Sequence, residues 1–471
     1  MTDRITGATL IAWGYKPGAW FKGAIDAANR AENEEAARGV VATMKPTEPE
    51  TIPLRAPSAA LHPHMNIRGE NAHEADNIIA VGNHMRELMR LPTVFAAAVM
   101  PDACPTGSAP GTIPVGGVVA TRNAIHPGMH SADICCSMAI TVFDRDADPT
   151  KILDAGMALS HFGGGGRHIN DNWALPPKIM EKFETNAYLK SVNIIHAAGQ
   201  HFGTQGDGNH FFFVGRVASS GQIALVTHHG SRKPGAMLYK MGMATAEVFR
   251  QRISPQTPKH NAWIVADSNE GESYWAALQI IREWTKANHY AIHDRIANTL
   301  GLSISDRFWN EHNFVFRKSD GLFYHGKGAT PAFDGWADDA TPHTLIPLNM
   351  AEPILIARGR NAANGLGFAP HGAGRNYSRT EYLRLNAGKT VAELMEEQTK
   401  GIDVRFFHHK PDASELPGAY KNAAAVRAQI AEFGLADVVD QIDPIGSIMA
   451  GDWQEDAPWR IKKAAKAAAR S

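Results

Sequence analysis

The amino-acid sequence predicts a mixed α+β protein. Short apolar runs of strand length alternate with longer helical stretches, no segment repeats, and no regular strand–helix–strand rhythm opens on a Gly-rich first turn. The first helix candidate runs from about Ala24 to Thr43, rich in Ala and Glu with no strong breaker inside. A stretch bearing Pro46, Pro49, Pro53, Pro57 and Pro63 follows and predicts an irregular connector. Ala75 to Leu91 reads as helix, and Val94 to Met100 is an apolar run of buried-strand length. Strands are then expected at Ala139–Phe143, Phe211–Val214, Ile223–Thr227, Phe314–Arg317, Leu322–Tyr324 and Ile354–Ala357. Helices are expected at Pro177–Leu189, Ala236–Arg252, Tyr274–Leu300 and Val391–Lys400. The organisation that results is a variable N-terminal region over 1–92, a main body over 93–451 and a basic tail over 452–471.

A length of 471 residues corresponds to roughly three domains at about 150 residues each, or to one large mixed body, with ample chain to bury a core. Hydrophobic residues at 44% and charged residues at 20% exclude a disordered chain. Lys+Arg at 47 against Asp+Glu at 48 leaves a net charge of −1, so a polyanionic partner requires a local basic patch. No run of 18 apolar residues occurs, so no membrane span is expected, and the N-terminal stretch is too interrupted for a signal peptide. The three cysteines, Cys104, Cys135 and Cys136, include a vicinal pair and make no disulfide framework; a reducing, cytoplasmic setting is expected. Histidine, at 22 residues, is the outlier and marks where the chemistry should lie.

Gly and Pro concentrate at Gly107–Gly117, Gly163–Gly166, Gly203–Gly208 and Gly365–Gly374, each close to a His, Cys, Asp or Asn. Backbone that must approach a phosphate or metal favours Gly, which has no Cβ to clash. Any one cluster alone could be loop punctuation; their recurrence beside polar residues argues for more. There is no GxxxxGK[ST] loop, no GxGxxG between strand and helix, no HExxH and no CxxC, so the common nucleotide and zinc signatures are absent.

Asp133 and Cys136 stand three residues apart on a turn and can both face one cation. Downstream come His210 after a Gly loop, His228 at the end of an apolar strand, and His312 before another. Each histidine alone could be a satisfied buried one. Together with an Asp and a Cys they form a ligand set suited to Zn, Mn, Fe or Co. A cysteine bridging two metals would make a dinuclear centre able to clamp phosphoryl oxygens. Arg232 after His228, Lys327 in YHGKGAT and Arg375 in HGAGR supply cations beside Gly turns, as a triphosphate or nucleic-acid backbone requires; ordinary solvated charge is the alternative for each. A neutral His371 could act as a nucleophile toward phosphorus, with Arg375 neutralising the leaving group.

In order along the chain these motifs resemble the RtcB family of RNA ligases. The matching pieces are MPD (Met100–Asp102), PVGGV (Pro114–Val118), DIxC (Asp133–Cys136), GTxGxGNHF (Gly203–Phe211), HxGSR (His228–Arg232), HN (His312–Asn313), KGAT (Lys327–Thr330), HGAGR (His371–Arg375) and AYK (Ala419–Lys421). The match covers roughly Val94 to Gly451, which makes the main body an RtcB-like catalytic core. The resemblance implies an α+β mixed-sheet fold around a dinuclear centre, usually Mn²⁺. Asp133, Cys136 and His210 would hold one ion, and Cys136, His228 and His312 the other. His371 would attack the α-phosphate of GTP to give a histidine–GMP intermediate. GMP would pass to an RNA 3′-phosphate and be displaced by a 5′-hydroxyl, in RNA repair or tRNA splicing. Asn209, Arg232, Lys327 and Arg375 would contact phosphates, Phe211 would stack near the base, and Tyr420, in the AYK motif, would join the nucleotide site. Implied partners are RNA with 3′-phosphate (or 2′,3′-cyclic phosphate) and 5′-hydroxyl ends, and an archease-like activating protein.

The departures concentrate on the base. Where the family reads GNHFxE, this chain has Phe213, which cannot pair with N1–H and N2–H₂ of guanine as a carboxylate would. The family's IPGSMGTxS becomes Ile346–Ile354 without its serines, and Gly446–Gly451 lacks the terminal Lys. DIGCGM becomes DICCSM, the Arg of HRKGA is Gly326, and the His of MPDxH is Cys104. Three readings stay open: a ligase of a divergent branch with altered or relaxed nucleotide choice, a metal phosphoesterase on RNA ends, or a non-catalytic RNA-end binder. Retention of His371 and every metal ligand argues against the third, since a pure binder would not need them. The basic stretch Trp459–Arg470 could lie on RNA phosphates, replace the missing Lys, or be a solvated helix.

Overall fold

A computed structural model describes residues 4–18, 20–45 and 51–452. Trp459–Arg470 lies outside the described residues. The chain divides into two compact units, Met1–Ile52 and Pro53–Ser471.

In the first unit the helix expected over Ala24–Thr43 is two, Phe21–Ala28 and Glu34–Met44, with a third at Gly7–Ala12. The break has a local cause. Asn33 takes extended backbone and its side chain accepts the N–H of Ala36, a cap that starts a new helix inside the Ala-rich run. The three helices bury Leu10, Phe21, Ala24, Ala28, Ala37 and Val41 together.

The second unit begins at Pro53, upstream of the expected 92/93 boundary, because 53–92 is tied into the main body. His64–Met65 pairs in parallel with the strand Val94–Cys104. Helix Ala72–Leu88, capped by Asn71, buries Val81, Met85 and Leu88 against Val94, Ala97 and Val99 of the same strand.

The mixed α+β class is what the fold shows. A five-stranded sheet runs in the order His64–Met65, Val94–Cys104, Val115–Thr121, Phe323–Lys327, Asn313–Arg317. An eight-stranded sheet runs His343–Pro347, Ile354–Gly359, Ala436–Met449, Phe211–Val217, Ile223–His229, Ser137–Phe143, Ile304–Glu311, and Asp403–Phe406 pairs in parallel with Ala436–Met449. The long helix Asn269–Leu300, capped by Ser268 and ended by Gly301 in left-handed backbone, packs on the large sheet. It buries His289 and His293 against Ser137, Thr141 and Thr227.

Among the described residues ten of the seventeen strands escape the sequence reading, and three of them are long. Val115–Thr121 (VGGVVAT) carries two glycines, Ile304–Glu311 (ISDRFWNE) is half polar, and Ala436–Met449 (ADVVDQIDPIGSIM) is interrupted at a bulge between Pro444 and Gly446. Val115–Thr121 and Ala436–Met449 are paired on both sides and Ile304–Glu311 on one, against Ser137–Phe143, so partner strands rather than their own periodicity set them.

Candidate metal centre

Antiparallel pairing gathers the candidate ligands at one end of the large sheet. Ser137 is opposite both His229 and Glu311, and Phe211 is opposite His228. Cys136 and His210 therefore precede the first residues of their strands, while His228 and His312 stand at or just beyond the ends of theirs. His312 is also the crossing point between sheets, since Glu311 ends a strand of the large one and Asn313 begins a strand of the small one.

Two ligand groups result, Asp133–Cys136–His210 and Cys136–His228–His312, each with its donor atoms within 4.8 Å of one another. Cys136 belongs to both. Its Sγ lies 3.4 Å from His210 Nε2 and 3.2 Å from His228 Nε2. His210 Nε2 is 3.1 Å from Asp133 Oδ2, and the Nε2 atoms of His228 and His312 are 3.1 Å apart. Backbone orients one ring: His228 Nδ1 is 3.0 Å from the Asn209 carbonyl, which leaves Nε2 to face the sulfur. Carboxylate, thiol and imidazole donors crowded this closely are a set that would suit divalent cations, with Cys136 available to either group.

The electrostatics match. Burial holds the His228 imidazole down to about 3, so it is neutral and its lone pair is available. Burial opposes ionisation of Asp133, yet His210 and, further off, Arg232 hold its carboxyl below the usual range. Burial and the neighbouring Asp133 push the Cys136 thiol well up. Cys136 thus keeps its proton until a cation replaces it. Gly230 is required here: a Cβ would fall 2.1 Å from Asp133 Oδ1.

The centre opens into a cavity of about 510 Å³. His371 enters it from the chain that follows Phe368–Pro370, its ring 4.9 Å from that of His312. Asp102, fully buried at the end of an apolar strand, accepts from His371 Nδ1 at 2.6 Å and from its backbone N–H at 3.2 Å. That bond places the ring proton on Nδ1 and leaves Nε2 as the free lone pair. The left-handed Gly374 (φ 73°) allows the approach, because a Cβ there would meet the Asp102 carbonyl at 1.9 Å.

Of the expected phosphate and nucleotide contacts, Asn209, Phe211, Lys327, Arg375 and Tyr420 line the cavity. Lys327 donates to Thr106 Oγ1 and the Ile113 carbonyl, and burial lowers it to about 8. Arg232 is placed otherwise. Its guanidinium lies behind His210, donating to Thr204 Oγ1 and the Gly163 carbonyl, and it steadies the ligand loop rather than facing the cavity.

Sequence reasoning gave no role to Asp102 and overlooked Glu415 and Arg379. Asp102 is the lone charge in the apolar run from Val94 to Cys104, and a buried carboxylate there needs a partner. Glu415, almost fully buried, accepts from Arg375 at 3.2 Å, from Arg379 at 2.6 Å and from the Tyr420 hydroxyl at 2.5 Å. It aligns two guanidinium groups along one cavity wall. Nothing in its spacing announces this, since the partners lie 5 to 40 residues away.

Fold and site together define a protein with two candidate cation-ligand groups that share Cys136, beside a carboxylate-oriented histidine. Comparison with known proteins names it more narrowly. Residues 178–450, more than half the chain, match the family model described as tRNA-splicing ligase RtcB. The chain belongs to the RtcB family. It is 30% identical over 348 residues to a tRNA-splicing ligase RtcB of Aeropyrum pernix, covering 63% of this chain and 69% of that one. With that of Thermococcus kodakarensis it shares 26% over 431 residues, 76% of this chain and 88% of the relative. An RNA-splicing ligase RtcB of Escherichia coli is 25% identical over 386 residues, 74% and 89% respectively. The chain spans 31% of the length of the Pyrococcus abyssi relative, at 29% identity. Asp102, Asp133 and Cys136 lie upstream of the matched stretch and join the site through the fold.

Proposed function

We propose that this protein is an RNA ligase that joins 3′-phosphate ends, or 2′,3′-cyclic phosphate ends once opened, to 5′-hydroxyl ends. The observation that carries the reading is His371, held on Nδ1 by Asp102 and set beside the two ligand groups that share Cys136. His371 Nε2 attacks the α-phosphorus of a nucleoside triphosphate, GTP by resemblance, and the bond to the β-phosphate oxygen breaks with loss of pyrophosphate. Asp102 stabilises the imidazolium character that develops on the ring. An oxygen of the RNA 3′-phosphate then takes the nucleotidyl group and frees His371. The 5′-hydroxyl attacks the activated 3′-phosphorus, loses its proton, and expels the nucleoside monophosphate as the phosphodiester forms. Asp133, Cys136, His210, His228 and His312 would hold two cations, Mn²⁺ by resemblance, which supply Lewis-acid charge for phosphoryl oxygens. Lys327, Arg375 and Arg379 position phosphates from the opposite walls. RNA repair or tRNA splicing in the cytoplasm, with an archease-like activator, is the setting this reading implies. Among the described residues no helix is long and apolar enough to cross a membrane.

The test is adduct formation with Mn²⁺ and α-labelled nucleoside triphosphates. Acid-labile label on the chain, absent from His371→Ala, is the expected result. Absence of label from every triphosphate, with metal bound, rejects nucleotidyl transfer and leaves a metal phosphoesterase or an RNA-end binder.

A further inference from the structure

The wall of the cavity beyond Phe211 is built from two antiparallel strands. Phe213 stands opposite Ser447, and Phe211 opposite Met449. Strand alternation puts these four side chains on one face, and all four line the cavity. Phe212 and Ile448, one residue out of phase, lie in the core on the other side. Leu348, Met350 and Ile354 extend the same wall. The result is a broad apolar surface of aromatic rings and thioethers, which suits the face of a planar heteroaromatic ring. It connects to the nucleophile through a series of ring contacts: Phe213 to Phe211 at 6.4 Å, Phe211 to His228 at 5.2 Å, His228 to His312 at 5.0 Å and His312 to His371 at 4.9 Å.

One polar group interrupts the wall. Ser447 is 1% exposed and its hydroxyl has no hydrogen-bond partner. Two other cavity-lining residues carry a buried polar atom without a partner: His312, which belongs to a metal group, and Asn376, whose Oδ1 is unpartnered while its amide nitrogen donates to Glu74; Ser447 alone of the three lies on the apolar wall. A buried hydroxyl without a partner is costly unless something enters to satisfy it.

We propose that this wall is a purine subsite without preference between adenine and guanine, in which Ser447 makes the hydrogen bond to the base. A strongly selective site presents fixed donors or acceptors that the wrong base leaves unpaired. A serine hydroxyl rotates, donating to a 6-oxo group or a ring nitrogen and accepting from a 6-amino group. Stacking on Phe211, Phe213, Met350 and Met449 is equally indifferent to the edge. Purine nucleoside 5′-triphosphates of either kind are therefore accepted, with the phosphates at His371 and the metal groups. This inference rests on the nucleotidyl-transfer reading above.

Binding, measured apart from turnover, tests it. The full-length protein in Mn²⁺ is titrated by calorimetry with the α,β-methylene analogues of ATP and GTP, which cannot transfer the nucleotidyl group. Dissociation constants within tenfold of each other are expected, and Ser447→Ala weakens both by a similar factor. A preference of more than tenfold for either analogue, or a Ser447→Ala effect confined to one of them, overturns the proposal. Parallel labelling with α-labelled ATP and GTP separates the two readings. Equal binding with no adduct rejects the ligase mechanism and keeps the subsite, whereas adduct from GTP alone with selective binding rejects the subsite and keeps the mechanism.

Discussion

Asp102 determines which nitrogen of His371 is available. With Nδ1–H held by the carboxylate, Nε2 keeps the free lone pair, the one the proposed nucleotidyl transfer uses. In Asp102→Asn the amide can donate to Nδ1 instead and move the proton to Nε2. Adduct formation should then fall about 10²–10⁴-fold, as in other tautomer-inverting substitutions. Metal content, read by atomic emission, should stay at the wild-type level; loss of metal would show that Asp102 supports the fold of the site rather than the ring. Cys136 is the second residue on which much depends, because it belongs to both ligand groups. Cys136→Ser should lower bound Mn²⁺ toward zero, whereas His210→Ala removes a ligand from one group alone. Since burial keeps the Cys136 thiol protonated, metal uptake must expel that proton. Mn²⁺ affinity should therefore rise with pH across 6.5–8.5, and a pH-independent affinity would mean that the thiol is not a ligand.

At the scale of elements, the strand Ala436–Met449 carries the base wall and also closes the large sheet between Phe211–Val217 and Ile354–Gly359. Its bulge at Pro444–Gly446 brings backbone close to Leu153 and Asp403. A Cβ on Gly446 would lie 2.6 Å from Leu153 Cδ1 and 2.7 Å from the Asp403 carbonyl. Gly446→Val should cost about 1–3 kcal/mol by overpacking, visible as a lower urea midpoint. An unchanged midpoint would show that the bulge relaxes freely. This strand was also the least legible in the sequence. Its burial pattern lacks period two, and Pro444 argues against a central strand. By contrast the strands over Ala139–Phe143 and Ile223–Thr227 were read correctly, because both faces are covered and every position is apolar or a partnered threonine.

For the whole molecule, the excess of histidine has a structural share as well as a chemical one. His126 and His293, held down to about 3, and His130, held down to about 4, are fully buried and neutral. Burial is the main cause in each. Their folded values lie below the unfolded value of about 6.5, so the unfolded chain binds more protons as the pH drops through that range. Stability is fully present above about pH 6.5 and is lost as pH falls toward 4. Each of these groups contributes a slope of up to about 1.4 kcal/mol per pH unit. The urea midpoint should fall steadily from pH 7 to pH 5, and His293→Gln should flatten that fall; a flat wild-type profile would contradict the neutral assignments.

Residue identity and order along the chain were enough to establish the mixed α+β class and to single out the residues that the fold gathers into the two candidate ligand groups, with His371 beside them. These groups carry their chemistry in short motifs, Asp133–Cys136, Asn209–His210, His228–Arg232 and His371–Arg375, where local turns and strand ends leave little freedom. Asp102 behind His371, Glu415 between two arginines, Arg232 turned away from the cavity and Ser447 across from Phe213 were settled by pairing between distant segments. Asp102 and His371 are 269 residues apart in the chain yet share a hydrogen bond. Strand register, which a one-residue slip would invert, is a property of neighbouring strands and not of either strand alone. For that reason the ligand-type residues and the altered base positions were legible in the motifs, while the partners that surround them had to wait for the sheet.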